Sequence, residues 1–113
     1  MNLERTKALI HDGIDRSDPN QSLLNLLEST IELLNIEGND FIWSSWNSSE
    51  EAIAEIQKIK ESILSGVLPP NLEVSVLFAP TGPIQEVSLS SGWADTFLKI
   101  AERFDEIENL LWK

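Results

Sequence analysis

Apolar positions in the first part of the chain recur every three to four residues. Leu23, Leu24, Leu27, Ile31 and Leu34 fall on one helical face, and Leu26 and Leu33 widen it. This spacing predicts a helix packed on a core. Asp18-Pro19 opens it as an N-cap followed by proline, whose missing N–H costs nothing at the first helical position. Gly38 supplies a left-handed stop. Residues 3–12 predict a shorter helix before it, ended by Asp12-Gly13. Further on, Ser48 and Glu51 form a capping box, and Ala52, Ile53, Ile56, Ile59 and Ile63 keep one face. Gly66, Pro69 and Pro70 end that segment.

The period then changes. Leu72, Val74, Val76 and Phe78 stand at alternate positions, the signature of a half-buried strand. Pro80-Thr81-Gly82-Pro83 reads as a turn, and Val87 and Leu89 as a second strand, giving an antiparallel hairpin. Asn39-Asp40-Phe41-Ile42-Trp43 reads as a turn leading into another short strand. After Ser90-Ser91-Gly92, the positions Trp93, Phe97, Ile100, Phe104, Ile107 and Leu111 mark the clearest amphipathic helix. The expected order is α-α-β-α-β-β-α. That order predicts an α+β fold, with a small antiparallel sheet of about three strands and about four helices packed on it.

At 113 residues, with 42% hydrophobic and 24% charged positions, residues 1–113 read as one globular domain. The absence of cysteine excludes a disulfide framework, thiol catalysis and thiolate-held metals. Nineteen acids against eight bases leave a net charge of −11. No Lys or Arg occurs between Arg16 and Lys58. Such a field repels phosphate backbones and anionic lipid, so neither nucleic acid nor a membrane is an expected direct partner. It favours a basic protein instead. The opening residues lack a secretory pattern and no apolar run nears the length of a bilayer span, which predicts a cytoplasmic protein.

Candidate chemistry is sparse. His11 is the sole histidine, flanked by Asp12, and reads as a solvated helix-end imidazole. Asp12, Asp15 and Asp18 do not follow the calcium-loop order, and the isolated glycines form no phosphate-binding loop. Glu73 and Glu86 would face each other across the hairpin, exposed to solvent. No catalytic residue, metal ligand or cofactor is therefore assigned. Of the four tryptophans, Trp43 and Trp93 read as core positions at element ends, and Trp46 lies in a polar stretch where burial is less expected. Leu110, Leu111 and Trp112 either close the core or contact a second subunit in a homodimer.

The segment Leu77-Phe78-Ala79-Pro80-Thr81-Gly82-Pro83-Ile84-Gln85-Glu86-Val87-Ser88-Leu89, with Ser91-Gly92-Trp93, Phe104-Asp105 and Trp43-Ser44-Ser45-Trp46, carries a resemblance. Over residues 39–105 the chain resembles a group of small, acidic bacterial proteins, and the likeness implies a bacterial, cytoplasmic setting without an activity. Turn geometry accounts for Pro80, Gly82 and Pro83 but not for Gln85 and Glu86. Those two, beside Trp46 or Trp93, are the expected contact surface. The functional expectation is a non-catalytic interaction module for a protein partner, with an immunity- or antitoxin-like role as one form. The alternative is a small-ligand binder or enzyme using carboxylates near the hairpin, with a divalent cation.

Overall fold

The structure, a computed structural model, describes residues 3–112. Six helices occur among them: α1 (Glu4–Asp12), α2 (Pro19–Leu34), α3 (Ser49–Leu64), α4 (Asn71–Phe78), α5 (Pro83–Ser91) and α6 (Ala94–Leu111). No strand is present among the described residues, so the α+β expectation is overturned and the fold is all-helical.

The expected strands fail for a physical reason. Alternate positions in 72–78 contain two pairs spaced four apart, Leu72 with Val76 and Val74 with Phe78, and such pairs also stack on a helix. In α4, Val74, Leu77 and Phe78 enter the core while Leu72 and Val76 face outward. A helix apolar on two sides imitates strand alternation. In α5, Pro83 takes the first turn, Ile84, Val87 and Ser88 are buried, and Leu89 points to solvent. Residues 39–46 form irregular turns stitched by side chains. The Asp40 carboxylate accepts from the Ile42 N–H at 2.9 Å, and the Ser44 hydroxyl accepts from the Trp46 N–H at 3.2 Å. These local bonds satisfy backbone groups that a strand would offer to a neighbour.

The expected hairpin turn instead forms the corner that joins α4 to α5. Thr81 adopts a φ of 64°, costly for a β-branched residue, and the Gln85 side-chain oxygen accepts from its N–H. Gly82 has no room for a side chain: a Cβ there would lie 2.6 Å from the Val76 carbonyl oxygen and 2.9 Å from that of Ala79. Gln85 thus has a local task that the turn motif alone did not suggest.

The helix boundaries mostly follow the capping residues. Asp18 accepts from the Gln21 N–H at 3.1 Å, and Ser48 from the Glu51 N–H at 3.2 Å. The Glu51 carboxylate accepts from the Asn47 N–H, one residue beyond the Ser48 N–H of the expected reciprocal bond. At Gly66 the Val67 N–H reaches the Ser62 carbonyl and the Gly66 N–H that of Ile63, the paired bonds of a left-handed helix stop. Gly38 does not play this part, because α2 ends at Leu34. There the Asn39 amide donates to the carbonyls of Leu33 and Leu34, at 2.9 and 3.1 Å, while its oxygen accepts from the Trp93 indole at 2.9 Å.

The long helices α2 and α6 pack together at the centre, with α1 on both, α3 on α2, and α4 and α5 on α6. Their buried side chains form one cluster that includes Leu26, Leu27, Ile56, Val74, Phe97 and Ile107. Glu28 of α2 pairs with Lys60 of α3.

Helix α1 is held from outside. Nine residues are too few for an isolated helix in water, and Leu3 provides no side-chain cap. The Glu32 carboxylate of α2 accepts from the N–H groups of Arg5 and Thr6 at 3.0 and 2.8 Å, and from the Thr6 hydroxyl at 2.9 Å. At the other end, Arg103 of α6 donates through Nε to the Leu9 carbonyl and through Nη2 to that of Ile10, at 3.1 and 2.7 Å. An anion thus meets the positive end of the helix and a cation the negative end.

Candidate protein-docking surface

Helix α4 buries only part of its apolar surface. Leu72 is 77% exposed and Val76 49%, and Leu98 of α6 stands beside them at 53%. A groove of about 640 Å³ separates α4 from α6. Phe78, Phe97 and Phe104 line it, and the rings of Phe78 and Phe104 stack at 4.8 Å. A second groove, about 550 Å³, lies toward α3 and shares Val76. The short helix therefore stands as an apolar ridge between two depressions.

Glu102, Asp105 and Glu108 of α6 border the first groove, and no Lys or Arg is among its lining residues. Arg103, adjacent in sequence, is turned toward α1. The Asp105 carboxyl is pushed above the usual carboxylate range by partial burial, then by the like charges of Glu108 and Glu102. The arrangement combines an apolar floor with an edge of concentrated negative charge. At the start of α4, the Asn71 side-chain oxygen is buried without a hydrogen-bond partner.

The expected contact residues are placed differently. Trp46 is 4% exposed and Trp93 8%, so both lie in the core, and the indole N–H of Trp93 is already bonded to Asn39. Neither can anchor a partner without unpacking the fold. Trp43, expected in the core, is 72% exposed in the irregular segment that replaced its strand. Gln85 reaches the groove edge beside Pro80 while holding Thr81, and Glu86 is half-buried on α5. Leu110, Leu111 and Trp112 are half-buried. The Trp112 ring packs on Phe104 and its N–H donates to the Pro69 carbonyl at 3.1 Å, so this tryptophan closes the core.

The remaining chemistry stays dispersed. His11 is exposed and bonded to Asp12 at 2.8 Å. Asp15 accepts from the hydroxyl and the N–H of Ser17, which hold its carboxyl below the usual range. Glu73 and Glu86 sit on separate helices, which removes the hairpin geometry on which a carboxylate pair depended. Among the described residues no group of three His, Asp or Glu side chains is gathered as metal ligands would be. No described helix is long and apolar enough to cross a membrane.

Sequence periodicity missed Leu72, Val76, Leu98 and the three acids of α6. The available signal was the excess of apolar residues in 72–78 over what one buried face needs, together with the repeat of acids every third residue from Glu102. No protein-family model matches the chain, and no curated protein or solved structure shows significant similarity to it.

Proposed function

We propose that this protein is a non-catalytic interaction module for a basic protein partner in the cytoplasm, with an immunity- or antitoxin-like role as one form. The single observation that carries the reading is the uncovered apolar side of α4 beside the acidic row of α6. Large exposed apolar patches rimmed by polar groups mark interaction sites. The net charge of −11 speeds encounter with a cationic surface, and buried apolar contacts then slow release.

Affinity capture from the protein's native cells, at low ionic strength and with a stepped salt elution, tests this reading. A specific basic protein released as salt rises is the expected outcome, because screening weakens exposed charge pairs. A captured partner with an acidic contact surface, or one whose affinity is indifferent to salt, would overturn it.

A further inference from the structure

We infer that the groove between α4 and α6 receives a short, basic, amphipathic helix of the partner, an inference that rests on the interaction-module reading above. Helix-in-groove recognition requires an apolar trough for side chains spaced three and four apart, and charge on its border to set orientation. Leu72, Val76 and Leu98 provide exposed apolar contact above the stacked Phe78 and Phe104. Glu102, Asp105 and Glu108 follow at three-residue steps along α6, or about 4.5 Å of rise each. Lysines or arginines one turn apart on a docked helix, about 5.4 Å, come within reach of successive acids.

Charge selects this occupant over the others. A second copy seated across a two-fold axis would bring the same acidic patch of both molecules together. Nucleic-acid phosphates and anionic lipid headgroups meet the same repulsion at Glu102, Asp105 and Glu108. A helix carrying basic residues beside leucine-like anchors relieves the crowded carboxylates as it covers Leu72 and Val76.

The probe is a synthetic helical peptide of about fifteen residues, with leucines along one face and lysines along its borders. It is titrated into the isotope-labelled full chain and followed by NMR. Saturable shifts confined to α4 and the facing side of α6 are expected, with none when the lysines are replaced by glutamates. The triple variant Glu102→Gln, Asp105→Asn, Glu108→Gln is expected to bind about tenfold more weakly. The double variant Leu72→Ser, Val76→Ser is expected to lose binding while keeping the wild-type melting temperature, since both side chains reach solvent. Equal binding of the two peptides, shifts centred elsewhere, or self-association through α4 would overturn the inference. A captured basic partner that binds the double variant undiminished overturns the groove assignment alone. Peptide binding in the groove with no basic partner captured overturns the broader functional reading instead.

Discussion

Helices α1 and α4 are close in length, nine and eight residues, yet they are finished in opposite ways. The ends of α1 are closed by Glu32 and Arg103, ionised side chains brought from α2 and α6. Helix α4 has no side-chain cap, a buried oxygen without a partner at Asn71, and two apolar faces of which the core takes one. The first helix depends on the rest of the molecule for its polar groups. The second has apolar surface to spare. A small fold thus separates a part completed internally from a part left for contact.

The largest expected effect falls on the corner that positions α4. Gly82→Ala forces a Cβ against two backbone oxygens, which no side-chain rotation can relieve. A loss of about 3 kcal/mol is expected in urea unfolding, as for other overpacked sites. An unchanged midpoint would show that the α4–α5 corner yields freely.

Glu32→Ala addresses the other helix. It strips the first turn of α1 of three hydrogen bonds to a carboxylate. The expected cost is about 2 kcal/mol, together with faster amide exchange at Arg5 and Thr6 than in α4. Equal exchange in the two helices would erase the contrast between them.

The smallest effect concerns the acidic edge of the groove. The Asp105 carboxyl is raised above its ordinary value of 3.8, so the folded state binds its proton more tightly than the unfolded chain does. Its ionisation weakens the fold as pH rises from that ordinary value through the raised one. The penalty is complete at neutral pH and absent below both values. Asp105→Asn is therefore expected to raise the melting temperature by about one degree at pH 7 and to leave it unchanged in acid. A lower melting temperature at pH 7 would show that the charge is stabilising.

Helices whose apolar residues form one stripe were legible from the chain itself. Asp18-Pro19 opens α2, Ser48 opens α3, and Trp93, Phe97, Ile100, Phe104 and Ile107 all face inward from α6 or its start. For residues 72–78 the ambiguity lies in the spacing itself. Positions two apart include positions four apart, and when both faces carry Leu or Val the two periods coincide, as at Leu72 to Phe78. Departures of this kind tend to fall where a surface has a second use, and here the departure lies on the proposed docking ridge. Trp43 and Trp46 exchanged their expected places because side chains within the loop, not a ladder of strands, satisfy its backbone. The clamps on α1 had no local trace, since Glu32 and Arg103 act across 26 and 94 positions of sequence.

The amide of Asn39 uses its nitrogen on two carbonyls at the end of α2 and its oxygen on the indole of Trp93. Its two terminal atoms cannot trade places without setting like dipoles against each other at all three partners. Aspartate has the same outline and, as a carboxylate, no hydrogen to give. Hydrolysis of this amide, with one water taken up and one ammonia released, would thus keep the outline of the side chain and reverse the sign of its meeting with α2.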